Sequence, residues 1–284
     1  MSKTVLFLII RILSNPVANL FQKKLATENS SVTINFYSFL LLSIFSIPFF
    51  TSINLLNYNF YFWFIVFIAG LLCTLGTLCL IKAMEIGELS VIGPINSYKS
   101  VIGLISAFFL LGEIPSLFGF FGMVLIIWGS KYIFDKDSEG FSFKLFKRKD
   151  IQFRLLALVL TGTEAAFLKQ IIVLSSVETS FVLWCISGAL WSFVILLLQK
   201  KKMTLAKNTH YGVCIVIAIC LGLMQYSTNY VFKYMNVGYA LALFQLSSIV
   251  TVVLGYKIFK EKHFVSKLIG SLIMIFGSCL IILK

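Results

Sequence analysis

The chain has 284 residues, of which 59% are hydrophobic, 15% aromatic and only 12% charged, and its mean hydropathy is +0.97. A soluble domain carries about 25% charged residues, so this composition excludes a water-exposed globule and describes a polytopic membrane protein. The net charge of +13 does not mark a nucleic-acid binder, because Lys and Arg gather at the ends of apolar runs and in two connectors, as anchors and topology signals do.

A helix needs about 20 mainly apolar residues to cross the hydrocarbon core. By that measure ten spans are predicted, at 4–24, 32–53, 60–84, 89–111, 115–134, 152–173, 178–198, 211–234, 238–258 and 264–283. The first follows Lys3 and is not succeeded by a small-residue cleavage site, so it reads as a retained helix and not a removable signal peptide. Most connectors are short, which makes neighbours antiparallel hairpins. Two are longer and charged: Asp135–Asp150, "DKDSEGFSFKLFKRKD", and Gln199–His210, "QKKKMTLAKNTH".

The two halves of the chain resemble each other. "SSVTINF" (Ser30–Phe36) matches "SSVETSF" (Ser175–Phe181), opening spans 2 and 7, and "MEIG" (Met84–Gly87) matches "MNVG" (Met235–Gly238), closing spans 3 and 8. Placing Glu113 on Glu261 brings Gly122 onto Gly270, Gly129 onto Gly277 and Ser130 onto Ser278. The organisation expected is a first five-helix repeat at 1–134, a charged connector at 135–150 and a second five-helix repeat at 151–284. Five is odd, so the second copy enters the membrane upside down. Inverted repeats of this kind place a transporter's substrate site at the midplane between them. The paired glycines, seven residues apart in each copy, share one helix face and fit close helix packing.

Most of the 24 basic residues lie in the connectors after spans 1, 3, 5, 7 and 9 or at the adjacent helix ends, among them Lys144, Lys147, Arg148, Lys149, Lys200, Lys201 and Lys202. The positive-inside rule then places these odd connectors in the cytoplasm and both termini outside.

Polar residues inside the spans carry the functional expectation, since ionisable groups at membrane depth are costly. Lys99 lies near the middle of span 4. A central Lys costs about 2.5–3.5 kcal/mol on insertion scales, against roughly −5 kcal/mol from the span's large apolar residues, so the helix inserts but the ammonium needs a partner or water. Asn96, Gly103 and Ser106 share its face, and Gly93-Pro94 should bend the helix. In span 1, Arg11, Asn15, Asn19 and Gln22 recur at helical spacing around Asn15-Pro16, which predicts an interrupted helix. Span 6 holds Glu164, the acid at midplane depth, which either couples transport to a proton or balances Lys99 or Arg11. Span 8 offers adjoining stripes of Gln225, Asn229 and Lys233, and of Tyr226, Tyr230 and Tyr234. Tyr234 and Lys233 also suit interface anchoring. Span 9 adds Gln245 and Ser248. Trp184 and Trp191 of span 7 could stack on a ligand, although lipid-facing aromatics are commoner. Glu113 and Glu261 precede spans 5 and 10 and read as structural carboxylates at helix N-termini.

The six cysteines all lie within apolar runs and form no CxxC pair, so no disulfide framework or zinc site is expected. No P-loop, HExxH or GxSxG motif is present, and the two histidines, His210 and His263, sit near membrane edges. These observations disfavour an ATP-driven pump and membrane-embedded catalysis, and no cofactor or metal is expected.

Ten helices in two inverted units, with "FFLLGEIPSLFGFFGMVLIIWG" (Phe108–Gly129) and its looser copy "YKIFKEKHFVSKLIGSLIMIFG" (Tyr256–Gly277), resemble the EamA-type transporters of the drug/metabolite transporter superfamily. Lys24 and Lys169, near the ends of spans 1 and 6, stand where that family often has a lysine. The resemblance covers the whole chain and implies a transporter of the cell membrane, bacterial in type, while leaving the cargo open: members carry amino acids, sugar phosphates, nucleotide sugars, choline or drugs. Members usually have both termini in the cytoplasm, whereas the charges here place them outside.

The resulting expectation is an all-α, ten-helix secondary transporter working by alternating access on a small polar metabolite that carries a carboxylate or phosphate, amino acids included. Lys99 and Arg11 would hold the anionic group. Asn15, Asn19, Asn96, Gln225, Asn229, Tyr226, Tyr230 and Gln245 would orient the cargo, and Glu164 would meet an amine or carry a coupling proton. The partners expected are the cargo, the bilayer and, if Glu164 couples, protons, with the chain a monomer or homodimer. Two alternatives stand beside this: a proton-coupled exporter of cationic or amphiphilic compounds through Glu164, and a non-transporting membrane subunit handling lipid-linked intermediates.

Overall fold

A computed structural model describes residues 3–53, 58–99, 101–102, 116–134, 147–201, 203–206, 211–235 and 237–282. Its elements are helical throughout. They are α1 (Lys3–Ala26), α2 (Ser31–Phe45), α3 (Phe60–Ile86), α4 (Leu89–Ile92), α5 (Leu117–Phe134), α6 (Lys149–Leu174), α7 (Val177–Leu198), α8 (Tyr211–Tyr234), α9 (Val237–Phe244), α10 (Ser247–Phe259) and α11 (Phe264–Ile282). Among the described residues, α1, α3, α6, α7, α8, the α9–α10 pair and α11 are long and apolar enough to cross a membrane, and α2 and α5 are shorter apolar helices. Gly103, Ser106 and Glu113 lie outside the described residues.

Local chemistry sets the helix ends. Ser30 Oγ accepts from Thr33 N at 3.2 Å, Asn59 Oδ1 from Phe62 N at 3.0 Å, and Ser176 Oγ from Thr179 N at 3.0 Å. Each is an N-cap satisfying a main-chain donor that the helix leaves free. The matched Ser-Ser-Val segments therefore both start a helix, although the first copy caps with its first serine and the second copy with its second. Span 2 ends sooner than its hydropathy predicts: Pro48 has no N–H to continue the ladder, and a 3-10 turn, Ile47–Ser52, follows α2. Span 1 behaves in the opposite way. α1 runs unbroken through Pro16, so the predicted interruption does not occur there.

Packing follows the repeat. The main helix pairs are α5 with α11, α2 with α7, α3 with α6, and α1 with α8, as a two-fold relation between inverted halves requires. The glycines make the closest contact. A Cβ built on Gly122 would come within 2.6 Å of Gly277 O, one on Gly277 within 2.7 Å of Gly122 O, and Gly129 and Gly270 mirror this at 2.9 and 2.7 Å. The register, 122 against 277 and 129 against 270, makes α5 and α11 antiparallel, the signature of inversion. Without side chains at those positions the backbones touch, which supplies the packing that lipid does not.

Candidate functional site

The interruptions in this fold fall in spans 4 and 9, equivalent members of the two halves. In span 4 the four-residue α4 gives way to a 3-10 turn, Pro94–Ser97, before helix resumes; in span 9, α9 and α10 are separated at Gln245-Leu246. Each break releases a carbonyl beside the paired amides. Asn96 N turns to Gly93 O at 3.0 Å, leaving Ile92 O, and Gln245 N turns to Ala242 O at 3.0 Å, leaving Leu241 O. A side chain takes each place: Arg154 Nε donates to Ile92 O at 3.0 Å, and Gln245 Nε2 donates to Leu241 O at 3.0 Å. The two amides, each four residues past its freed carbonyl, meet across the repeats, with Asn96 Nδ2 donating to Gln245 Oε1 at 2.9 Å.

Beside this junction lies a cavity of about 130 Å³, walled by α1, α2, α3, α6, α7 and α8 and by spans 4 and 9. Its charged lining is Arg11, Lys99, Arg154 and Glu164. Arg11 rests its guanidinium 4.1 Å from the centre of the Phe244 ring, a cation–π contact, yet its Nε and Nη1 are buried without hydrogen-bond partners among the described residues. Glu164 Oε1, Gln22 Nε2 and Trp184 Nε1 are in the same condition. Lys99 touches no acid within ion-pair distance among the described residues, but it interacts electrostatically with Arg154, Glu164 and Arg11. Buried polar atoms left unsatisfied are expensive. Their concentration around one cavity is what a site awaiting a polar ligand requires.

Of the side chains singled out in the sequence, Arg11, Asn15, Asn19, Asn96, Lys99, Gln225 and Glu164 line this cavity. Gln245 is fully buried at the span 9 break. Asn229, also fully buried, lies behind Gln225, and the two side-chain amides meet at 3.0 Å. Tyr226 and Tyr230 belong to an aromatic cluster elsewhere. Tyr226 Oη donates to Glu178 at 3.2 Å and its ring packs against Phe7, Phe49 and Phe181, while Tyr230 lies 4.2 Å from Phe7. Trp184 is buried at the cavity wall, whereas Trp191 reaches out to Phe67 O at 3.2 Å. The sequence reading passed over Arg154. The signal was available: Arg154 and Glu164, with Ala157, Thr161, Ala165 and Leu168 between and beyond them, follow helical spacing along one face of α6, and all of them line the cavity.

Toward the odd connectors, ions close the molecule. Glu261 accepts from Leu89 N and Ser90 N, both at 2.8 Å, and from Lys23 Nζ at 2.9 Å. Lys23 also donates to Gly87 O at 2.8 Å, and the buried Lys267 pairs with Glu88 and donates to Ser90 Oγ at 2.9 Å. Glu261 therefore caps the first turn of span 4, in the other repeat, and not the helix that follows it. Left-handed backbone at Lys260 and His263, with φ 54° and 60°, turns the connector back far enough to do this. Burial pushes the Glu261 carboxyl up, but the Ser90 hydrogen bonds and the Lys23 charge outweigh it and hold the group below the usual carboxylate range.

The profile of the EamA-like transporter family matches residues 2–134 and 149–283, one copy on each half. The chain belongs to the EamA-like transporter family. It is thus a membrane transporter of the drug/metabolite superfamily with a small-molecule substrate, and not an enzyme. A crystal structure with 14% identity superposes with a TM-score of 0.69, covering 100% of this chain and 97% of that one, a likeness of fold. No curated protein matches this EamA-like chain significantly.

Proposed function

We propose that this transporter is a secondary carrier that moves, by alternating access, a small polar organic metabolite bearing a carboxylate or phosphate, amino acids included. The observation that supports this reading is the composition of the cavity: three cationic side chains, Arg11, Lys99 and Arg154, face one acid, Glu164, and Nε and Nη1 of Arg11 have no hydrogen-bond partner among the described residues. An anionic group would pair with Arg11 and Lys99, while Arg154, already bonded through Nε and Nη2, adds positive charge to the same space. Asn15 and Asn19, whose side chains form no hydrogen bond among the described residues, stand one and two turns further along α1 to orient the remainder. The cavity is below the roughly 300–1,000 Å³ of ordinary ligand pockets, which favours a metabolite over a drug-sized cargo.

Proton-coupled export of cations remains the second reading, because Glu164 Oε1 is buried without a hydrogen-bond partner among the described residues. It ranks lower, since three cations around the same space would repel such cargo. The charge bias of the connectors supports odd connectors in the cytoplasm, which a C-terminal reporter fusion would test. Function is tested with purified protein in proteoliposomes. A thermal-shift screen of anionic, zwitterionic and cationic metabolites finds the ligand, because a compound that binds the folded state raises its stability; uptake of that compound follows. Lys99→Met should reduce uptake at least tenfold, and wild-type uptake by this variant would overturn the role given to Lys99.

A further inference from the structure

The two helix breaks are joined by one continuous run of hydrogen bonds. Arg154 Nε donates to Ile92 O at 3.0 Å and its Nη2 to Asn96 Oδ1 at 2.8 Å; Asn96 Nδ2 donates to Gln245 Oε1 at 2.9 Å; Gln245 Nε2 donates to Leu241 O at 3.0 Å. Both ends of the run are the carbonyls that the breaks release. Among the described residues no other side-chain hydrogen bond joins span 4 to span 9 at this depth, and the three residues belong to both repeats: Asn96 to the first, Arg154 and Gln245 to the second. Arg154 is also 6% exposed and lines the cavity, so the run begins at the cavity wall.

We infer that Arg154, Asn96 and Gln245 form a clasp that holds the two helix breaks together and must open for the cavity to change sides. Arg154 is a positioning residue in this scheme: it acts by holding Ile92 O and Asn96 and thereby sets the geometry of span 4. The logic is one of exchange. A regular helix cannot hinge without losing its own ladder bonds, whereas here the bonds at each break are already made by side chains, which can swap partners by rotation. The two neutral amide bonds, Asn96 to Gln245 and Gln245 to Leu241 O, suit that purpose, since each contributes a net stabilisation small enough to be made and broken repeatedly, while the two from Arg154 are charge-assisted. The clasp does not depend on the nature of the cargo.

The test uses Cys73, a cavity-lining thiol on α3, as a reporter of opening in the full-length protein. Proteoliposomes are treated with N-ethylmaleimide, and modification of Cys73 is timed by peptide mass spectrometry, with no cargo added. Asn96→Ala and Gln245→Ala each remove two hydrogen bonds of the run and should each speed labelling about tenfold or more, as expected when two such bonds are lost, with the variants still unfolding in one cooperative transition. Arg154→Lys, which keeps the charge but not the fork that spans Ile92 O and Asn96, should speed it as well, and it stands in if an alanine variant fails to fold. The double swap Asn96→Gln with Gln245→Asn restores an amide pair of the same total length and should return labelling to the wild-type rate. Folded variants that label at the wild-type rate, a swap that folds without restoring it, or a Cys73 that never labels in any of these proteins would each overturn the clasp. Failure of the anion reading would instead appear in the uptake assay and leave these rates untouched.

Discussion

Replacing Glu261 by Gln removes one charge from the closed end of the molecule while preserving its shape. The carboxylate accepts three hydrogen bonds, from Leu89 N and Ser90 N at 2.8 Å and from Lys23 Nζ at 2.9 Å, with side-chain exposures of 6% for Glu261 and 14% for Lys23. Gln offers one acceptor oxygen, so its amide nitrogen must face a donor. A hydrogen bond to a charged group is worth about 1.5–3 kcal/mol, and removing one partner of a buried pair costs about 3–5 kcal/mol. These terms overlap, and Lys23 keeps its bond to Gly87 O, so the lower end applies: a loss of about 3 kcal/mol is expected. The pH dependence gives a second handle. Because the folded carboxyl lies below its ordinary value, its stabilisation is complete above the free-Glu pKa of about 4.3 and disappears as pH falls through the folded value. Thermal unfolding in detergent at pH 7 and then at descending pH measures both. The wild type should lose its advantage over Glu261→Gln in acid, and adding Lys23→Met to Glu261→Gln should cost little more. An unchanged midpoint at pH 7, or a difference between the two proteins that persists unaltered to the lowest pH, would refute the assignment of Glu261 as a charged cap and ion-pair partner.

Other outcomes follow from the same geometry. Gly129→Ala drives a Cβ to within 2.9 Å of Gly270 O and 2.8 Å of Met274 Cγ; overpacking of this kind costs about 1–3 kcal/mol, whereas Gly162→Ala on α6, with nothing within 4 Å, should be neutral or stabilising in the same unfolding assay. Glu164→Gln should abolish any dependence of uptake on a pH gradient; a variant that remains gradient-driven removes Glu164 from coupling. Phe244→Leu takes the ring from beneath Arg11, where both partners are buried, and should weaken the affinity for an anionic cargo by about thirtyfold, corresponding to a desolvated cation–π contact, read as a raised KM with little change in maximal rate.

The architecture was legible because hydropathy and repetition report on solvent and on symmetry, and both act along the whole chain. Gly122, Gly129, Gly270 and Gly277 were identifiable as packing residues from spacing alone, and the structure pairs them across α5 and α11. The site was legible only where a residue type was out of place in lipid. Lys99, Arg11 and Glu164 stood out for that reason. Arg154 did not, because it lies close enough to the charged connector to pass for part of it. The tyrosines misled for the opposite reason: the i, i+4 stripe of Tyr226, Tyr230 and Tyr234 is real, but a helical face says nothing about whether its neighbour is a cavity or another aromatic, and here it is Phe7, Phe49 and Phe181. Proline was the least reliable guide. Pro16 sits inside a continuous α1 while Pro94 accompanies a break. The difference is Gly93 beside Pro94, together with Arg154, which occupies the Ile92 carbonyl that the break exposes.

The contacts that close the two ends differ in kind, and that difference bears on how a carrier of this build moves. Toward the odd connectors the decisive pairs, Lys23 with Glu261 and Glu88 with Lys267, each join one repeat to the other, whereas Lys82–Glu85 stays within the first repeat and Arg148–Asp150 is local to the end of the charged connector. Toward the even connectors Phe7 and Phe49 of the first repeat meet Phe181 and Tyr226 of the second. Any rocking of one repeat against the other must therefore break the cross-repeat pairs at one end or part the rings at the other, and leave the local pairs intact. Charged groups regain hydration when they separate, which offsets much of the attraction lost. Aromatic rings gain no such compensation in water, so on this argument the ionic end opens more readily, and the cavity at the Asn96–Gln245 junction would be loaded or emptied there first.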